Sequence, residues 1–194
     1  MTYSLAIHGG AGTLLKQNMT PKKEAAYHGG LARAVEAGEA VLRDGGSALD
    51  AVVASVCALE DEPLFNAGRG AVYTSEGKQE MDAAVMDGRD RRAGSVAGVL
   101  GPKNPIRLAH AVMERTEHVT LIGPNALEIA RQAELPFGDY DYFFTQSRGM
   151  RCKKRWSCAR GVKCRTIRRG GMAPSGRWRV MKLAISRRQP RPGG

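Results

Sequence analysis

The order of patterned segments along this 194-residue chain predicts an α+β domain built of stacked layers. Three observations carry the prediction. A short apolar strand is followed by two helical patterns; a run of short strands joined by Gly- and Asp-containing turns fills the middle; helical periodicity then returns. No internal repeat is visible.

Each element has a local reason. Ser4 to Ile7 reads as a short buried strand, and the glycines after it allow a tight turn. Thr20 is a helix N-cap with Pro21 at the first helical position, and the helix should run to about Arg43 with Leu31, Val35 and Leu42 on one face. Gly45-Gly46 ends it. Ser47 caps a second helix, with Asp50 closing a shortened capping box, and that helix should reach about Leu59. Ala71 to Thr74, Glu80 to Met86 and Ser95 to Leu100 read as strands. Pro105 to Glu114 reads as helix, Val119 to Ile122 as strand and Asn125 to about Ala133 as helix.

Composition excludes some classes and divides the chain. A hydrophobic fraction of 42% suffices for a core, and no apolar run reaches membrane-spanning length. Met1-Thr-Tyr-Ser4 has no basic region followed by an apolar stretch, so a cytoplasmic protein without a signal peptide is expected. The net charge of +11 is uneven. Residues 1–148 hold 15 Lys and Arg and all 19 acids; residues 149–194 hold the other 15 bases and no acid. Cys152, Cys158, Cys164, Trp156 and Trp178 also fall in the second segment. So sharp a break marks a boundary near Arg148.

Three motifs stand out in the first segment. His8-Gly-Gly-Ala-Gly12 reads either as a glycine loop able to cradle an anion or as a plain strand-to-loop turn; it has neither P-loop nor dinucleotide spacing. His8 reads as a hydrogen-bonded structural histidine. Leu59 to Gly70 places acids at a helix C-terminus, where they are locally unfavourable, so either solvent or a nearby cation or arginine offsets them. Within it, Asn66 is either a turn residue or an amide donor to a reacting carbonyl. Met81 to Gly88 and Ala93 to Val99 are rich in small residues that let layers pack closely; Asp82 and Asp87 do not read as an acid/base pair.

These motifs, with Gly46 to Val52, Asn104-Pro105 and His118 to Gly123, occur in an order that resembles the α-subunit part of the plant-type asparaginases, also called isoaspartyl peptidases. The resemblance covers residues 3 to about 148. It implies an αββα sandwich of the N-terminal-nucleophile hydrolases, here incomplete, with only its N-terminal half present. It implies hydrolysis of L-asparagine and β-aspartyl dipeptides by a threonine freed through self-cleavage. It implies a dimer of αβ units, no organic cofactor, and a structural sodium held by the main-chain carbonyls of Leu59, Glu60, Glu62, Phe65, Ala67 and Arg69. Asn66 matches the family asparagine near the nucleophile. The nucleophile itself and the groups that hold the substrate's α-carboxylate and α-amine lie beyond the resemblance, so a glycosylasparaginase-like specificity stays open.

Residues 149–194 read as another reading frame. Where the family has Gly-Thr-Val-Gly-Ala-Val-Ala, this chain has Gly171-Met-Ala-Pro-Ser-Gly-Arg-Trp-Arg179. Joining the last base of each codon to the first two of the next makes Met172/Ala173 encode Gly, allows Thr, Val, Gly, Ala and Val in turn, and makes Trp178/Arg179 encode Ala when the arginine is CGN. Ile185 to Gly193 can yield Leu-Ala-Ala-Ala-Thr-Ser-Thr-Gly in the same way, and Gly149 to Ser157 can yield an amphipathic stretch, with suitable third bases. Three family-like results in the right order point to a frameshift near Arg148–Gly149. As written, the chain has no threonine in the nucleophile's context, so it is expected to be inactive. Its tail is expected to be disordered and to bind polyanions non-specifically through charge. The alternative is a nucleic-acid-binding protein acting through the basic tail with Trp156 and Trp178 stacking; the cysteines, six apart with no histidine, have poor zinc spacing.

Overall fold

The computed structural model describes residues 3–10, 16–149 and 184–186. Thr20 accepts a hydrogen bond from the Lys23 amide and opens α1 (Pro21–Arg43), as the cap and proline predict. Gly45, at φ 84°, ends it. Ser47 and Asp50 form the full reciprocal capping box of α2 (Ala48–Asp61), which runs two residues further than expected.

The buried stripe of α1 differs from the expected one. Gly30, Ala34 and Gly38 are buried, while Leu31, Val35 and Leu42 are only partly covered. The reason is helix-to-helix distance. A Cβ on Gly38 would lie 2.2 Å from Ser55 Oγ and 2.9 Å from the Ala51 carbonyl, so α1 and α2 approach nearly backbone to backbone. Small residues allow that approach; the larger ones flank the seam.

The sheet follows. β2 (Met81–Met86) and β3 (Ala93–Val99) pair antiparallel, with a register irregularity between Met81 and Ala83. β4 (Thr120–Ile122) joins β3 in parallel, in the order β2-β3-β4. α3 (Pro105–Arg115) packs across β2 and β3, and α4 (Pro124–Gln132) lies beside it. Their contact surface is the main core: Val85, Val96, Val99, Ile106, Leu108, Val112 and Met113, closed by α2 through Val53 and Val56. The other sheet face carries Ala84, Ser95, Ala97, Thr120 and Ile122, with Met86 and Ile122 well exposed. A second two-stranded sheet pairs β1 (Ser4–Ala6) with Ala184–Ser186 antiparallel. The architecture is α+β, with helices on one face of the main sheet.

Two expectations need correction. Ala71 to Thr74 is not a strand. The Val72 amide donates to the Asn66 side chain and the Ala71 carbonyl accepts from Gln79 Nε2, so side chains take the groups a ladder would use. A short helix, α5 (Tyr140–Phe143) capped by Asp139, was not expected; four residues are too few to show periodicity. The reading of residues 149–194 as disordered and out of frame concerns positions that, apart from 149 and 184–186, lie outside the described residues.

Candidate functional site

The Leu59–Gly70 loop grows from the end of α2, where exposed carbonyls and acids meet. Leu59 and Phe65 are buried and anchor it, the Phe65 ring packing edge-on to Tyr27 at 5.8 Å. The acids are compensated rather than simply solvated. Arg33 of α1 forms an ion pair with Glu62, and Asp61 accepts from Asn104 Nδ2 at 3.0 Å and from the Tyr142 hydroxyl at 3.1 Å.

Glu60 is only 2% exposed. Its Oε1 accepts from the Ile106 amide at 3.0 Å, at the start of α3, while its buried Oε2 has no hydrogen-bond partner of good geometry among the described residues. Burial pushes its carboxyl up to about 8, against the pull of the Ile106 N–H. Because the folded value lies above the unfolded one, the contribution to stability is complete below about pH 4.5 and is lost as pH rises through about 8. In sodium-free buffer, stability is therefore expected to fall by up to about 1.4 kcal/mol per pH unit across that window. Glu60→Gln should flatten the profile, and chemical denaturation at pH 5, 6.5 and 8 measures it. Equal slopes in both proteins would show that Glu60 titrates normally.

Carbonyl oxygens of the loop press against two glycines. A Cβ on Gly68, at φ 48°, would lie 2.4 Å from the Glu60 carbonyl oxygen; one on Gly70 would lie 2.0 Å from that of Phe65 and 2.7 Å from that of Pro63. Leu59, Glu62 and Ala67 carbonyls accept from Glu62, Phe65 and Gly70 amides at 3.4, 3.2 and 2.9 Å. Pro63 was absent from the sequence-based set. The Arg69 carbonyl belongs to the 3-10 turn Gly68–Gly70. Arg69 is more than a bystander: its Nε donates to the Tyr142 carbonyl at 3.2 Å and its guanidinium lies 5.5 Å from that ring's centre.

Asn66 is exposed at the rim of the loop. Its Oδ1 accepts from the Val72 amide at 3.0 Å, which fixes the amide's orientation and leaves Nδ2 without a partner among the described residues. His8 Nδ1 accepts from the Gly10 amide at 3.2 Å, a local structural bond as expected; residues 11–15 of the glycine motif lie outside the described ones. Asp82 and Asp87 part company: Asp82 accepts from Gly98 N at 2.8 Å, and Asp87 pairs with Arg89, whose hydrogen bonds hold its carboxyl below the usual range. Among the described residues no cluster of metal-ligating side chains occurs, and no helix is long and apolar enough to cross a membrane. Tyr142, Gln79 and Arg148 also touch the loop or its exit and were missed, since Tyr142 and Arg148 meet loop residues 73 to 83 positions away and Gln79 links the exit to Phe143, 64 positions on.

Comparison with known proteins shows the family of the chain. The profile of the family described as Asparaginase (Asparaginase 2) matches residues 1–171. The plant-type L-asparaginase of Thermococcus kodakarensis is 51% identical over 138 residues, 71% of this chain and 43% of the relative. The isoaspartyl peptidase of Salmonella typhimurium is 44% identical over 144 residues, 74% of this chain and 46% of the relative. The isoaspartyl peptidase/L-asparaginase of Xenopus laevis is 40% identical over 152 residues, 78% and 46%. The chain thus spans less than half the length of these curated relatives. With the motifs in order and the profile covering most of its length, the chain belongs to the asparaginase 2 family.

Proposed function

We propose that this chain is the α-subunit-like half of an amidohydrolase that acts on L-asparagine and β-aspartyl dipeptides. In that reaction a threonine freed by self-cleavage, carried by the other half, attacks the β-carbonyl. Its own amine takes the hydroxyl proton and returns it to the departing amine or ammonia, and water then releases aspartate from the ester. Asn66 carries the reading. Its Nδ2, uncommitted beside a glycine-lined loop, suits donation to a developing oxyanion or to the threonine. The polypeptide as written has no such threonine and is an inactive form. The direct experiment returns codon 149 onward to the alternative frame and looks for hydrolysis.

The loop suits a monovalent cation, which would supply no chemistry and only fix backbone. The close approach of the Glu60, Pro63 and Phe65 carbonyl oxygens to Gly68 and Gly70, and a buried Glu60 Oε2 with no hydrogen-bond partner among the described residues, are the features in its favour. Leu59, Glu60, Glu62, Phe65, Ala67 and Arg69 are the residues proposed to face it. Sodium chloride should raise the melting temperature relative to choline chloride at equal ionic strength. A site filled at a hundred times its Kd contributes about 2.7 kcal/mol. Identical melting curves in the two salts would remove the cation.

A further inference from the structure

Four side-chain links tie the segment 139–148 along the outside of the Leu59–Gly70 loop and its exit. Tyr142 donates its hydroxyl to Asp61 at 3.1 Å; Arg69 Nε donates to the Tyr142 carbonyl at 3.2 Å; buried Gln79 Nε2 bridges the carbonyls of Ala71 (2.9 Å) and Phe143 (3.0 Å); and Arg148 Nη2 donates to the Phe65 carbonyl at 3.2 Å. Lys103 Nζ stands 4.6 Å from the Tyr142 ring centre. The segment is a strap, and its last link has a chemical consequence the others lack.

The Phe65 carbonyl belongs to the same rigid peptide plane as the Asn66 amide nitrogen. Whatever fixes that oxygen fixes where the Asn66 side chain starts. The oxygen is wedged against Gly70 on one side, so its conformation is crowded. A guanidinium on it supplies a charge-assisted bond, stronger than a neutral one, to this crowded oxygen. We propose that Arg148 is a positioning residue for Asn66, acting through the Phe65–Asn66 peptide plane, and that the strap thereby couples the loop to residues 139–148. This rests on the reading of Asn66 as the site asparagine, but the coupling is a property of the chain itself.

Hydrogen exchange by mass spectrometry on the full-length chain, kept soluble as a fusion, tests it. Arg148→Met, Arg148→Lys and the control Arg131→Met are compared in choline chloride and in sodium chloride. In Arg148→Met, amides of residues 66–72 should exchange about tenfold faster than in the parent, a charged hydrogen bond's worth. Those of α3 should be unchanged, and Arg148→Lys should recover most of the protection. Loop exchange within about twofold of the parent, or loop and α3 accelerating together without rescue by lysine, overturns the proposal. Should Arg148→Met fail to fold, Arg148→Gln, which keeps a donor and loses the charge, carries the same comparison. Sodium-independent exchange in every protein would sink the cation reading alone and leave the arginine comparison intact. In the restored-frame protein, loss of hydrolysis in Asn66→Ala tests the role of Asn66 separately.

Discussion

Purified as it stands, the 194-residue polypeptide is expected to release no ammonia from L-asparagine or aspartate from β-aspartyl dipeptides above a blank, and to show no self-cleavage fragments. Thr166 is the tail's one threonine, and its Arg-Thr-Ile context is not that of the nucleophile. Without the attacking hydroxyl, binding groups alone cannot open the acyl-transfer path. Reading codon 149 onward in the alternative frame should create the Gly-Thr-Val-Gly sequence, two fragments on a gel, and a rate increase on the order of 10⁶. Serine at the new threonine should retain part of the rate, and alanine none. Activity in the original polypeptide would mean the nucleophile has been misplaced. A restored frame that stays intact and inert would remove the frameshift explanation.

The second large effect is on stability. Gly94→Ala in β3 should lower the melting temperature by roughly 6–12 °C, from about 3 kcal/mol of overpacking in a domain of this size. The new Cβ would lie 2.2 Å from the Ala109 carbonyl oxygen and 2.7 Å from both the Met113 nitrogen and its Cβ. These are fixed parts of α3 and its root, so no rotamer change relieves the clash and the helix must lift from the sheet. Gly88→Ala is the control, because its Cβ would meet nothing within 4 Å. Melting of Gly94→Ala within about 1 °C of the parent would show that α3 does not sit this close.

Chain-local chemistry made the helices legible. Thr20-Pro21 and Ser47…Asp50 satisfy orphan amides within a few residues, so the helix starts could be read in advance. The β2–β3 hairpin and the α+β class followed from spacing and turn residues. The loop from Leu59 to Gly70 was recognisable through its resemblance, and that acids at its helix end must be offset, by solvent or by an opposing charge, was legible too. That Arg33 provides part of that charge, 29 residues back and on another helix, was not.

What the sequence by itself determined is the family, the capped starts of α1 and α2, the candidate loop and the abrupt change in composition at Arg148, because each is written in neighbouring residues. Only the tertiary structure decided that Gly30, Ala34 and Gly38 rather than the larger residues form the buried seam of α1, that Ala71 to Thr74 spends its hydrogen bonds on Asn66 and Gln79, and that Tyr142 and Arg148 return to hold the loop. The physical reason is range. Caps and periodicity are settled within a helical turn, whereas the distance between two helices and the partner of a carbonyl depend on residues brought together from as far as 83 positions apart.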